Sequence, residues 1–321
     1  MAGQFTAGNR IAGFKDEGAT PGVYSAPLAA DFDIVGHDVG SLSFDRNGSR
    51  IGKPAIGNLN EAQTLSGMIN GSFSFSTYLQ HTGAHDTPSK LKKLLEAAGL
   101  AESADAITGE KLYSYTGAQP CKTLSCIVSE INCGTSPASI DAKGRGCVPN
   151  LTIEAPGVGE AIKLTFEISA AYEDEVDNAT PIKAITSPDD GEIEKLLGTV
   201  FTIGGQGFII HSCTLSMNPT VTAIPDPSKE GGIAQHKITA FDPVLNAQVQ
   251  MVDLATSDLV DASIDDSVFT EITLAGKYWD IEITDGNIRN IPKGDADGIL
   301  TNDLEIEIRA FRLRQKDISS T

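Results

Sequence analysis

Asp295, Asp297, Asp303 and Glu305 lie about Gly298 in KGDADGILTNDLE, and acidic residues around a glycine are what a calcium loop uses. The register does not fit an EF-hand. With Gly298 at the sixth loop position, the first is Lys293 and the twelfth is Leu304, so neither end supplies a ligand. A solvated hairpin turn is the expectation there. Cys121, Cys126, Cys133 and Cys147 form a second cluster, but zinc needs C-x2-4-C pairs so that two thiolates reach one ion. Only Cys121 and Cys126, with four residues between them, meet that spacing; Cys133 and Cys147 make no second pair, and the cluster runs along strands, which suits buried thiols. His81 and His85 in LQHTGAHD would share a face of a helix, yet Gly83, Asp86 and Pro88 make the segment a loop. GGQGF at Gly204 to Phe208 lacks the helix and lysine of a phosphate loop and reads as a β-turn. No Ser or Cys sits in a nucleophile elbow, and no carboxylate pair stands out from the acidic background. Neither catalysis, nor a cofactor, nor a metal is expected.

The elements that hold these residues are strands. Low aromatic content (6%), with 32 Gly and 15 Pro punctuating short runs of Val, Ile, Thr and Phe, predicts a β-dominated chain. A length of 321 residues suits two domains. A formal charge of −19, from 43 acidic and 24 basic residues, excludes a protein that grips a phosphate backbone, although a surface that lets DNA pass without sticking needs this sign. The N-terminus has no secretory apolar core, and no run of about 18 apolar residues occurs, so the expectation is a soluble chain made in a cytoplasm, with no membrane partner. Five cysteines without an export signal are expected to be reduced.

Residues 1–32, rich in Gly, Ala and Pro, are expected as an N-terminal arm. Alternation in SLSFD and in NGSFSFSTYL predicts two half-buried strands joined by a long loop from Arg46 to Ile69. TPSKLKKLLEAAG predicts a helix from Thr87 to Gly99. Strands are expected at Lys111 to Tyr115, Lys122 to Ile131, Gly146 to Glu154 and Ala161 to Tyr172; in the last, Ile162, Leu164, Phe166 and Ile168 face inward. The acidic, proline-bearing stretch at 179–199 predicts a connector between a first unit at 33–178 and a second at 200–321.

The second half replays the first in outline. GFIIHSCTLSMN echoes DFDIVGHDVGSLSFDRN, QHKITAFDPV takes the place of NGSFSFSTYL, and the strand pair ending in LTFEISAAY matches the pair ending in LEIEIRAFR.

This order of features resembles the major tail tube proteins of long, flexible-tailed bacteriophages, in their two-domain form. The resemblance rests on IAGFKDEGATPGVYSAPLAADFDIVGHDVGSLSFDRN, MINGSFSFSTYL, HTGAHDTPSKLKKLLEAAGLAES, KLYSYTGAQPCKTLSCIVSE, LTFEISAAYEDE and KGDADGILTNDLEIEI, and covers nearly the whole chain. The stretch from Cys121 to Cys147 departs from the pattern. The resemblance implies a mainly β fold of two tandem β-sandwich units, each with a short flanking helix or loop, whose inner sheets join into a ring barrel. Rings of three chains, pseudo-six-fold, would stack into a hollow tube through which DNA passes. The implied partners are further copies of the chain, a tape measure inside the tube, a terminator at its end, and genomic DNA in transit; the implied place is the virion, after assembly in the bacterial host cytoplasm. The candidate lumen-facing acids are Asp45, Glu154, Glu167, Glu305 and Glu307, and the candidate inter-ring loop carries Arg46, Asn47, Gly48, Arg50, Lys53, Asn58 and Glu61. The rival readings are a terminator or minor tube-end protein that forms one ring, and a secreted calcium-binding β-sandwich adhesin.

Overall fold

A computed structural model describes residues 5–18, 20–24, 33–34, 41–52, 64–81, 84–89, 91–117, 122–132, 139–178, 191–252, 259, 268–269 and 271–317. The fold is mainly β and antiparallel throughout. In chain order the first half supplies β1 (Phe5–Asp16), β2 (Asp33–Ile34), β3 (Ser43–Gly52), β4 (Thr64–Tyr78), β5 (Gln80–His81), α1 (Lys92–Ala97), β6 (Ala101–Ala104), β7 (Lys111–Tyr115), β8 (Leu124–Asn132), β9 (Ser139–Ala155) and β10 (Lys163–Asn178). The second half supplies β11 (Glu192–Ile193), β12 (Val200–Ile203), β13 (Gln206–Phe208), β14 (Ile210–Ser216), β15 (Pro219–Pro225), β16 (Ile233–Phe241), β17 (Val244–Gln250), β18 (Val268–Phe269), β19 (Ile272–Ala275), β20 (Trp279–Asn290), β21 (Lys293–Ala296) and β22 (Ile299–Gln315).

Pairing lays eight of these side by side in the order β3, β4, β10, β9, β14, β17, β22, β20. Each half contributes a first hairpin and a later one, and the last strand of the later hairpin pairs with the second strand of the first. The two halves therefore repeat one order. Leu164 to Ala170 (LTFEISA) and Leu304 to Ala310 (LEIEIRA) occupy the same place in it, as do Ser41 to Phe44 (SLSF) and Thr214 to Met217 (TLSM).

Long strands leave this sheet and continue in a second one, bending at register shifts that let a strand turn without losing its pairing. The first part of β9 pairs with β8, and β8 with β1; the first part of β20 pairs with β19, and β19 with β12. Apolar alternation closes the two sheets on each other. Phe14 of β1 stacks on Phe75 of β4 at 5.3 Å, and Phe75 on Phe166 of β10 at 5.3 Å. In the second half Phe201, Leu245, Ile272 and Ile281 line one small void, and Ile153 from the first half lines it too. One buried cluster thus runs through both halves.

Five expectations change. Residues 5–16 are not an arm but a paired strand with Phe14 fully buried. The loop from Arg46 to Ile69 is strand on both sides, since β3 runs to Gly52 and β4 starts at Thr64, so a ladder extends toward the tip. The partner of β14 is β17, not the QHKITAF strand; the latter is β16, which pairs with β15 in an arm inserted between Ser216 and Val244. The division at 179–199 does not separate two structures: β9 pairs with β14, and β7 of the first half pairs with the end of β22. Of the connector, 179–190 lies outside the described residues, while β11 pairs with β5 and Leu196 is buried.

The helix is shorter than predicted. It runs Lys92–Ala97, buries Leu94 and Leu95, and ends where Gly99 takes φ +99°. A Cβ at Gly99 would lie 2.6 Å from Cζ of Phe241, so both backbone and space demand glycine.

Because the core is shared, Phe166→Ala in the first half should lower stability by about 3–5 kcal/mol and shift the unfolding of Trp279, the single tryptophan, which lies in the second. Urea titration followed by Trp279 fluorescence and by far-UV circular dichroism tests this. Coincident, equally shifted transitions are expected; a Trp279 transition left in place would mean separate cores.

Candidate functional site

Registration across the eight strands builds one polar face. Tyr78, Lys163, Glu154, Thr214, Asn246, Glu305 and Asn290 form one cross-strand row, and Ser76, Thr165, Thr152, Ser216, Val244, Glu307 and Asn287 form the next. A third row runs Ser43, Ser74, Glu167, Asn150, and a fourth starts Asp45, Ser72, Ser169. The intervening residues, among them Phe75, Phe166, Leu151, Ile153, Leu215, Leu245 and Ile306, point into the core and are buried. This is the period of two in a sheet with one dry face. All five candidate acids, on β3, β9, β10 and β22, lie on the polar face, Asp45 and Glu167 exposed and Glu154, Glu305 and Glu307 half-buried.

The face is mostly hydroxyl and amide, with carboxylates set into it. Ser43 and Ser74 hydroxyls lie 2.8 Å apart, and those of Ser76 and Thr165 3.1 Å. Not every acid is a free charge. Arg289 Nε donates to Glu307 at 3.0 Å and its Nη2 lies 3.6 Å from Asp242; the hydrogen bond to Glu307 raises the arginine's pKa above its ordinary value. A cleft of about 480 Å³ opens on this face beside Ser72, Ser74, Asn150 and Glu167, bordered by Pro219 and Val221 of the second half's arm. That arm is seated on the first half, where the buried Arg145 donates to the Ile233 carbonyl at 2.8 Å and to Glu173.

Of the inter-ring candidates, Asn47, Gly48 and Arg50 are on β3, Arg46 places its guanidinium 4.9 Å from the Tyr172 ring centroid, and Lys53, Asn58 and Glu61 lie outside the described residues.

The other clusters resolve into structural roles. Asp297 and Gly298 make the two-residue turn between β21 and β22 with φ 53° and 82°, and Asp295 accepts from Gly298 N–H at 3.0 Å. Gly204 and Gly205 do the same between β12 and β13. His81 is buried with Nε2 2.9 Å from the Lys316 carbonyl, while His85 faces Asp317 from a turn, so the two share no face. Among the described residues no three potential ligands gather to hold a metal. Cys126, Cys147 and Cys213 are free and buried. Burial pushes the Cys213 thiol up to about 12 and, with help from the adjacent Cys126 thiol, Cys147 well above its ordinary value, so both remain protonated. Cys121 and Cys133 lie outside the described residues.

Two buried carboxylates had no distinguishing signal in the sequence. Glu17 accepts from Gly22 N–H (2.6 Å), Gly146 N–H (2.7 Å), Thr123 Oγ1 (2.6 Å) and Ser125 Oγ (3.1 Å), which fastens the segment after β1 to β8 and β9. Glu194 accepts from the consecutive N–H groups of Lys277 (3.1 Å), Tyr278 (2.5 Å) and Trp279 (2.8 Å), which fastens the connector to the start of β20. Two open edges were also not legible. Among the described residues, β3 pairs only with β4, and β21 only with β22.

Compared with protein-family models and with curated proteins, the chain matches none. Among the described residues no helix is long and apolar enough to cross a membrane.

Glu17→Ala should lower unfolding free energy by about 3 kcal/mol or more, because it strands buried donors, whereas Glu167→Ala on the polar face should change it by no more than about 0.5 kcal/mol. Urea midpoints measure both; similar losses would mean that the face carries fold-holding contacts rather than replaceable charge.

Proposed function

We propose that the chain is a structural subunit that assembles with copies of itself into rings of three, pseudo-six-fold, which stack into a hollow tube: a major tail tube protein of a long-tailed bacteriophage. The observation that carries this reading is the repeated strand order. Two units of like topology stand side by side in one sheet, joined edge to edge by β9 and β14; among the described residues β3 at one end has no partner besides β4, and at the other end the run from Asn290 through β21, beyond the Gly286–Asn287 pairing of β20 with β18, has none besides β22. A sheet that joins to itself through such edges and closes has none left for aggregation. A two-unit chain reaches six-fold pseudo-symmetry with three copies.

The polar face suits a lumen. Hydroxyls and amides offer hydrogen bonds that water satisfies equally well, and Asp45, Glu154, Glu167 and Glu305 repel phosphate, so DNA slides rather than binds. Glu307, paired with Arg289, contributes less. The tape measure and terminator are then partners at the lumen and at the tube end, the virion is the site of action, and no catalysis is required of the chain. The arm of β3 and β4, carrying Arg46, Asn47, Gly48 and Arg50, is assigned to contact with the neighbouring ring.

Negative-stain electron microscopy of concentrated protein should show stacked rings or tubes with a central hole. Uniform monomers would overturn the reading, and single rings that never stack would favour a terminator. Replacing residues 48–65 by a short turn should leave folded rings that do not stack; tubes of normal length would remove that role from the arm. In Glu154→Lys/Glu167→Lys/Glu305→Lys tubes, DNA should be retained at low salt and released as salt rises, the dependence expected of phosphate contacts. Tubes of this variant that hold no more DNA than wild type would place the face elsewhere than the lumen.

A further inference from the structure

The internal repeat carries a template for the contact between chains. At the junction inside the chain, β14 adds to the edge of β9 with Ser216 opposite Thr152, Leu215 opposite Ile153 and Thr214 opposite Glu154. Leu215 and Ile153 are both buried there. The equivalent of β14 in the first half is the strand containing Leu42, since SLSF stands where TLSM stands. The equivalent of Ile153 follows from the last strand of each half. Leu164 faces Ile153 across one hairpin, Leu304 takes the place of Leu164, and the residue across from Leu304 lies between Asn290, opposite Glu305, and Pro292, whose carbonyl accepts from Asp303 N–H at 2.8 Å. That residue is Ile291.

We infer that, in the ring proposed above and resting on that reading, the segment leading into β3, Ser41–Ser43, of one chain adds antiparallel to the Asn290–Pro292 edge of the next, just beyond where β18 pairs with Gly286 and Asn287, with Leu42 opposite Ile291 and Ser43 opposite Asn290. Three features of this edge fit. Pro292 turns its carbonyl toward β22, so by strand alternation Ile291 turns both its N–H and its C=O away from β22, toward the incoming strand. The missing N–H of Pro292 therefore falls on the side where the neighbour needs no donor. Ile291 is only partly buried although it packs against the core, and Leu42, at the opposite edge, is already buried in the core of its own chain as Leu215 is, so the pairing places a leucine beside an isoleucine as at Leu215 and Ile153 and covers what remains open of Ile291. The Leu42 carbonyl accepts from Arg10 Nη1 at 3.1 Å, and its second lone pair is available to Ile291 N–H. The contact is head to tail, the kind that closes into a ring when the rotation permits.

Paired cysteines test the register. Ser43→Cys/Asn290→Cys occupies the pair next to Leu42 and Ile291, where the Cα separation expected for a non-hydrogen-bonded antiparallel pair, about 4.5 Å, is within disulfide reach. Oxidised glutathione takes up the two electrons as the two thiols join. Non-reducing gels should convert most of the chain into covalent dimers and trimers with nothing larger, while wild type stays monomeric. Ser216→Cys/Thr152→Cys, the in-chain equivalent, should oxidise without any change of mass class. Ser43→Cys/Pro292→Cys, a two-residue slip, should give at least tenfold less cross-linking. Rings seen by electron microscopy in a Ser43→Cys/Asn290→Cys sample that does not cross-link, or preferential cross-linking of the slipped pair, would overturn this register and leave the ring reading intact. No rings from wild type or variants would overturn the ring reading itself, and this inference with it.

Discussion

Leu215 of β14 opposite Ile153 of β9 is the contact on which the rest of the structure depends. It makes one sheet of two halves, and it fixes which face of every later strand is dry, because a one-residue slip at that junction would turn all of β14 and β17 inside out. Backbone pairing at such an edge gains only about 0.5–1.5 kcal/mol per hydrogen bond over water, whereas burying each apolar side chain contributes about 1.5–3 kcal/mol. Over the four residue pairs of the junction the two contributions are comparable, and the apolar pair decides which face is dry. Among the described residues the same arrangement leaves β3 and the Asn290 to Ala296 run each with a partner on one side only, and such edges are what natural sheets otherwise cover, shorten or charge.

The two faces of the sheet divide the labour. The core face is continuous from Phe14 through Phe75 and Phe166 to Ile153 and Leu245, so neither half has a core of its own. The polar face is solvent-facing, with Asp45 and Glu167 exposed and hydroxyls and amides between them. Where charge does hold the fold it is buried and fully engaged: Glu17 collects four donors and Glu194 three consecutive backbone N–H groups. These two carboxylates fix segments that strand pairing alone would leave loosely attached.

Alternation made much of this legible from the chain itself. Phe73 against Ser74, Leu164 against Lys163 and Ile306 against Glu305 mark both the strands and the face, and the five candidate acids fall on one side of the sheet because each is an outward residue of such a strand. Local pattern could not give the partners. QHKITAF and VLNAQVQ alternate equally well, and only tertiary pairing distinguishes the arm strand β16 from the sheet strand β17. The stretch before Glu17 looked like an arm because its glycines and alanines hide a strand whose buried anchors are Ala12 and Phe14. Glu17 and Glu194 were invisible among 43 acidic residues, since what distinguishes them is the donors that converge from distant segments. The edges at β3 and β21 were hidden for the same reason: which side of a strand is paired depends on tertiary partners, not on its own alternation.

The central claim is that two like units in one chain stand where a one-unit subunit would need two chains. Native mass spectrometry of the assembled ring measures this most directly. The account predicts a closed species with the mass of three 33.7 kDa chains, and higher masses only as multiples of it. A ring of six chains would show that the repeat does not set the symmetry, and a monomer at every assembly-competent concentration would contradict the account altogether.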